Sequence, residues 1–216
     1  MRLLDLCSGS GGAAVGYALA GFDVLGVDIV DRPRYPFPFV RADALTFPLD
    51  GFDVVHASPP CQGYSTQTAR RDRHPRLIGE IRERLVAAGA PYVIENVEAA
   101  RWAMIDPVRL CGSSFGLDLR RHRLFESNLD LTAPPCDHGW QTPRFQSLDR
   151  SMVLAGRLAS VVGVHGHINY TGEYELRCRA MGIEWMTNDE LVEAIPPVYT
   201  EHLGRQIAAL LREAAA

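Results

Sequence analysis

The 216-residue sequence predicts an α/β domain built on a mostly parallel central sheet, and three observations carry that prediction. A short apolar run near the N-terminus passes through a glycine-rich turn into a helix-forming segment. Short β-branched or aromatic runs then recur, separated by turn and helical stretches. Several of these runs end at acids, Asp5, Asp28 and Asp43, and ligands of open α/β sheets bind at the carboxyl ends of the strands.

In order, Arg2 to Cys7 reads as a first strand, Ser8-Gly9-Ser10-Gly11-Gly12 as the turn, and Ala13 to Ala20 as a helix that Gly21 ends. Glycines let a backbone approach a ligand closely, and the helix N-terminus points donors at it. Taken literally, Gly9-x-Gly11-x-x-Ala14 also satisfies the dinucleotide fingerprint, so on this turn alone NAD and S-adenosylmethionine compete. Phe22 to Asp28 is a second strand whose terminal carboxylate suits ribose hydroxyls. Pro38 to Leu45 reads as a third, with Asp43 at its end able to accept from an adenine amino group. Phe52 to Ala57 is the fourth, and it delivers Cys61 onto a loop that Pro59 and Pro60 stiffen and Gln62-Gly63 carries away. A thiol placed there is placed to react.

The polar stretch Thr66 to Arg76 carries Arg70, Arg71, Arg73 and Arg76, and its composition suits a disordered solvated loop as well as a lid touching phosphates. An amphipathic helix from about Leu77 to Ala88 follows. Pro91 to Ile94 is a fifth strand, ending in Glu95-Asn96-Val97, which brings a carboxylate and a carboxamide to the edge where Cys61 waits. Residues 110–117 form a turn-rich connector, and Arg121 and Arg123 open another strand. Beyond Asn128 the periodic signal thins until Thr187-x-x-Glu190, a capping box, and a final helix from Val198 to Glu213 after Pro196-Pro197.

All 22 basic residues are arginine, which excludes a Walker-type phosphate lysine and a Schiff-base lysine. The net charge of −4 is uneven: −3 over residues 1–59, +3 over 60–157 and −4 over 158–216. Five widely spaced cysteines without a C-x-x-C suggest neither a disulfide framework nor a four-ligand zinc site. Cys136-x-His138 is a possible ligand pair, but no second pair lies at zinc spacing, so no metal is expected. His165 and His167 read as an alternating solvent face. With no long apolar stretch and no signal-peptide pattern, the expectation is a reduced, cytoplasmic protein.

The order Asp5-x-Cys7-x-Gly9-x-Gly11-Gly12, Asp28, Asp43, Pro59-Pro60-Cys61-Gln62, Glu95-Asn96-Val97, Arg121-x-Arg123 and Ile195-Pro196-Pro197 resembles the DNA cytosine-5 methyltransferases. The match covers residues 1–128 and the last helical region. The resemblance implies a Rossmann-like S-adenosylmethionine-dependent methyltransferase fold divided into a catalytic and cofactor-binding core (1–128), a reduced target-recognition region (129–186) and C-terminal helices returning to the core (187–216). It implies that S-adenosylmethionine is bound by Asp5, Cys7, Ser8, Gly9, Ser10, Gly11, Gly12, Asp28, Ile29, Asp43, Ala44, Pro60 and Ile195. It also implies a DNA partner whose target cytosine is flipped out of the duplex.

By the same resemblance Cys61 is the nucleophile at carbon 6 of cytosine, Glu95 serves ring nitrogen 3, Arg121 and Arg123 neutralise the carbonyl oxygen, and Asn96 orients the cysteine loop. The sequence departs from the family at Leu119, where glutamine is frequent, and at Glu193, where asparagine is usual. The shortness of residues 129–186 points to relaxed specificity or a specificity partner, and a monomer in a restriction-modification or phage setting is expected. Three other readings compete: a catalytically silent nucleic-acid-binding module, C5 methylation of RNA, and action on a free cytosine nucleotide.

Overall fold

The computed structural model describes residues 1–66, 68–139, 141, 162, 164 and 174–215. Seven strands form one sheet: β1 (Arg2–Leu6), β2 (Asp23–Asp28), β3 (Phe39–Arg41), β4 (Val54–Ala57), β5 (Tyr92–Val97), β6 (Val108–Leu110) and β7 (Arg123–Ser127). Their order is β3-β2-β1-β4-β5-β7-β6, with β7 antiparallel to both of its neighbours and the other pairings parallel. Among the described residues the α-helices are α1 (Gly12–Leu19), α2 (Ile78–Ala88), α3 (Tyr174–Met181), α4 (Asn188–Glu193) and α5 (Pro197–Ala214).

The apolar runs of β1 and β4 become fully buried because the sheet is covered on both faces. On one face α1 and α5 pack over Leu3, Val24, Val54 and Phe125; on the other α2 packs over Leu4, Leu6, Val55 and Ile94. The contact of α1 with α5 is close because Gly16 carries no side chain: a Cβ there would stand 2.0 Å from the carbonyl oxygen of Pro197. Thr200 Oγ1 donates to the Ala13 carbonyl across the same seam at 2.8 Å. A third, smaller apolar cluster joins Leu119, Val162 and Val164 to Met181, Ile183, Met186 and Leu191. It runs across position 187, so α4 packs with residues on both sides of the expected boundary.

The reversal of β7 positions the site. Val97 pairs with Arg123, so the first residue of β7 lies at the sheet edge where β1, β2, β4 and β5 end. Connections reverse direction between β1 and β4, and such a switch point leaves a crevice at the carboxyl edge.

Several sequence-based boundaries move. The third strand stops at Arg41, leaving Asp43 in a turn where it accepts from the backbone N–H of Leu45 at 2.9 Å. The fifth strand continues through Glu95 and Asn96, because β7 pairs with them. The short β6 and α3 were not expected: the first has three residues, and the second is a charged segment that packs through Cys178, Ala180 and Met181. The capping box is present, with Thr187 and Glu190 bonded to each other's backbone N–H, and α5 begins at Pro197, whose missing N–H costs nothing at a helix start. His165 and His167 lie outside the described residues.

Candidate active site

The glycine turn is held open by its conformation. Cys7, Gly9 and Gly11 all have positive φ (55°, 52° and 89°), and a Cβ at Gly9 would stand in open space. At Gly11 a Cβ would instead approach Pro36 to 2.7 Å, and at Gly12 it would lie 2.5 Å from the Ile195 carbonyl oxygen. Ser10 Oγ donates to Glu190 at 2.7 Å and the Trp185 indole donates to the Ser10 carbonyl at 2.8 Å. The C-terminal segment therefore closes one side of the turn.

Asp5 is fully buried at the foot of the turn, where Tyr35 donates to Oδ2 at 3.0 Å and Oδ1 has no partner. The Tyr35 ring reaches it by lying against Gly26, where a Cβ would come within 2.3 Å of the ring. Burial raises the Asp5 carboxyl from 3.8 to about 7, with Tyr35 opposing and Asp28 adding to the shift. A folded pKa above the unfolded one means that the folded chain keeps a proton the unfolded chain releases. The resulting stability is present below about pH 4 and is lost as pH rises toward 7. The ligand-free protein is thus expected to lose stability across this window, and Asp5→Asn to flatten the decline in urea-midpoint measurements.

Asp28 accepts from the backbone N–H of Gly9 at 3.0 Å and of Val30 at 2.9 Å, and Arg32 lies 3.4 Å from its Oδ2. It fixes the turn as well as facing the crevice. Ile29 and Asp43 are exposed, whereas Ala44 is buried. Glu193 is 3.9 Å from the Arg32 guanidinium, which links the departure at this position to the Asp28 carboxylate.

The Cys61 loop is anchored on both sides. Ser58 N–H donates to the Leu6 carbonyl at 3.0 Å, and the Cys61 carbonyl accepts from Tyr64 and Ser65 in a tight turn. Asn96 Nδ2 donates to the Pro59 carbonyl at 2.9 Å, so the carboxamide next to Glu95 ties down the cysteine loop. Burial and Glu95 raise the Cys61 thiol, while Arg123 and Arg121 draw it down. Glu95 is buried and 3.1 Å from the Arg123 guanidinium; burial raises its carboxyl, and Arg123, Arg121 and a bond from Ser58 oppose the rise.

Arg121 differs from Arg123 in its surroundings. Its side chain is buried, with Nη1 donating to the Val164 carbonyl at 2.8 Å and Nη2 to that of Val192 at 2.5 Å. Tyr199 donates to its backbone carbonyl at 2.6 Å. The charge of Arg121 is felt at Cys61 and Glu95, whereas Arg123 is the one of the pair that is ion-paired with Glu95.

A buried polar chain escaped the sequence reading. Tyr17 and His56 Nδ1 are 3.0 Å apart, His56 Nε2 and Ser58 Oγ 2.9 Å, and Ser58 in turn bonds Glu95. Burial drives His56 down to about 3, so the ring is neutral. A neutral ring that donates to Ser58 accepts from Tyr17, which aims the chain of donors at Glu95. Its signal in the sequence is the lone polar residue of the run Val54-Val55-His56-Ala57, which local patterning cannot tell from an ordinary core histidine.

No family model and no curated protein matches this sequence. Solved structures do. An E. coli prophage-encoded protein described as a DNA modification methyltransferase superposes with a TM-score of 0.61 at 15% identity, covering 98% of this chain and 99% of that one. The Dnmt2 methyltransferase of S. pombe gives 0.58 at 14% identity, and a Spodoptera frugiperda DNMT2 mutant 0.52 at 15%; each covers 100% of this chain and 99% of the other. The fold is that of a Rossmann-like methyltransferase.

Proposed function

We propose that the chain is an S-adenosylmethionine-dependent cytosine-5 methyltransferase acting on DNA. The observation that carries this reading is the convergence of Cys61, Glu95 and Arg123 at the sheet edge that also carries the glycine turn. A reactive thiol, a buried carboxyl and a guanidinium are what addition to a pyrimidine ring requires. The prophage-encoded and Dnmt2 folds support the reading at the level of architecture.

The cradle fits the cofactor. The open space at Gly9 admits a ligand against the backbone, and the unpartnered Oδ1 of Asp5 is a buried acceptor without a donor. The residues that would hold it are Asp5, the turn from Cys7 to Gly12, Asp28 at the ribose, and exposed Ile29 against the adenine, with Asp43, Ala44, Pro60 and Ile195 completing the wall. When bound, S-adenosylmethionine supplies an electrophilic methyl group.

Carbon 5 of cytosine is too weak a nucleophile unassisted. Cys61 Sγ, as thiolate, adds at carbon 6 and leaves electron density at carbon 5. Glu95 delivers a proton to ring nitrogen 3 as that bond forms, and Arg123 offsets charge gathering at the carbonyl oxygen. Once carbon 5 has been methylated, loss of its proton, departure of the thiolate and return of the nitrogen 3 proton to Glu95 restore the ring and the enzyme. Asn96 keeps the sulfur in register by holding Pro59. Exposed Arg70, Arg71 and Arg73, on the loop that follows Cys61, are placed to meet backbone phosphates.

Nucleoside mass spectrometry on DNA and RNA from cells expressing the wild type beside Cys61→Ser tests the reading. The expected result is 5-methylcytosine in DNA with the wild type alone. Methylation confined to RNA would replace the substrate, and no modified base in either polymer from a folded, cofactor-binding protein would remove the activity.

A further inference from the structure

Four side chains outside the catalytic cluster converge on one point. Cys111 immediately follows β6 and His122 immediately precedes β7; because Leu110 pairs with Arg123, the next step of the same register sets Cys111 opposite His122. The loop after β7 returns to this edge and contributes Cys136 and His138. Cys111 Sγ lies 3.3 Å from His138 Nε2, Cys136 Sγ lies 3.5 Å from His122 Nε2, and all four atoms fall within 4.8 Å of one another. The two imidazoles stack with centroids 5.3 Å apart.

We infer that Cys111, His122, Cys136 and His138 form a four-coordinate site for a structural zinc ion. Zinc bonds of about 2.3 Å to sulfur and about 2.0–2.1 Å to nitrogen give a tetrahedral sulfur–nitrogen edge of about 3.6 Å, close to both measured separations. A donor set of two thiolates and two imidazoles selects zinc among common cellular cations, and four protein ligands leave no open position for catalysis. The cluster is compact enough for one ion.

The surroundings complete the site. Glu98 Oε2 lies 3.1 Å from His122 Nδ1, which fixes the ring with Nε2 turned to the cluster, the carboxylate–histidine arrangement common behind zinc. Ser113 donates to Cys111 Sγ at 3.2 Å. One dication and two thiolates sum to zero charge, so the occupied site adds no positive charge beside Arg109 and Arg120.

The ion would clamp the loop that leads toward residues 142–173 onto the catalytic edge. Arg120 already bonds the carbonyls of His138 and Gln141, and His122 stands between Arg121 and Arg123. Spacings of ten residues between Cys111 and His122, and thirteen between His122 and Cys136, match no familiar zinc motif, so the expectation of no metal rested on sequence proximity alone. The fold supplies the missing pair.

The test reads metal, not methylation, and so stands apart from the proposed activity. Untagged protein purified under reductant without chelator is expected to carry one zinc per chain by elemental mass spectrometry. After chelation, cobalt(II) should restore a tetrahedral visible spectrum with a thiolate-to-metal charge-transfer band. Cys136→Ser should lose the zinc and Cys178→Ser, which alters a buried cysteine elsewhere, should keep it. Glu98→Gln, with all four ligands intact, should weaken zinc binding by about 10–100-fold. Wild-type protein that holds no zinc and gives no tetrahedral cobalt spectrum, or that isolates under reductant with a Cys111–Cys136 disulfide, would overturn the site. Equal zinc loss from Cys178→Ser would overturn the ligand assignment.

Discussion

Replacing Cys61 with alanine is expected to lower methyl transfer by at least about 10⁴-fold while leaving S-adenosylmethionine affinity within about twofold of wild type. The expectation follows from where the sulfur sits. Its loop is fixed by bonds of Ser58 to Leu6 and of Asn96 to Pro59, which alanine does not disturb. The cradle is assembled from other residues, chiefly Asp5, Gly9, Asp28 and their backbone contacts. Single-turnover rates with DNA and calorimetric titration of the cofactor separate the two effects. A variant that kept turnover would deny the thiol its role, whereas lost cofactor binding would place Cys61 in the cradle instead.

The second large effect is expected at Glu95. Glutamine retains the shape and can still accept from Arg123, but it cannot deliver a proton to the ring. A loss of about 10²–10⁴-fold in kcat is expected, with KM for the cofactor little changed. The pH profile gives the sharper reading. Burial holds the Glu95 carboxyl above 4.5 and the Cys61 thiol above 9.0. The wild-type rate, which needs Glu95 protonated and Cys61 ionised, rises with pH until Glu95 begins to lose its proton and then levels. Glu95→Gln should lack that inflection and go on rising until the thiol ionises. An unchanged inflection would assign it to another group.

Ionised Glu95 is also a liability to the fold. Its folded carboxyl is raised, so the stability it contributes is present below pH 4.5 and is lost as pH climbs through the raised value. The glutamine variant is therefore not expected to be less stable at neutral pH, and a loss of rate cannot be ascribed to unfolding. The buried Tyr17–His56–Ser58 chain aims donors at this same carboxyl and works against the rise, as the Arg123 contact does. Glu95 is thus held between a dry environment that raises its carboxyl and a set of donors that oppose the rise.

What could be read from the sequence was what is local. The Ser8 to Gly12 turn, Asp28 at the end of β2 and the Pro59-Pro60-Cys61-Gln62 loop each show as a contiguous run of residue types, although the partners that hold them, among them Leu6, Asn96 and Glu190, do not. The capping box of α4 is legible for the same reason, since both of its bonds span three residues. What stayed hidden depends on pairing across the chain. β6 has three residues and exists because β7 pairs with it, and Glu95 belongs to β5 rather than to a loop because Phe125 faces it. Arg121 reads as a twin of Arg123 until the Val164 and Val192 carbonyls are seen to engage its terminal nitrogens. Cys111 and His122 meet only through a register that no spacing rule contains, and His56 becomes part of a polar chain only once Tyr17 on α1 lies over it.

A covalent bond between Cys61 and cytosine can be trapped on DNA containing 5-fluorocytosine. Fluorine at carbon 5 replaces the proton whose loss would free the enzyme, so methylation leaves the adduct standing. Incubation with S-adenosylmethionine should yield a protein–DNA species of one-to-one stoichiometry, one methyl group heavier than its parts, with the cross-link on Cys61 by peptide mass spectrometry. Wild-type protein that binds the cofactor and the DNA yet forms no adduct, or forms one at another residue, would contradict the account.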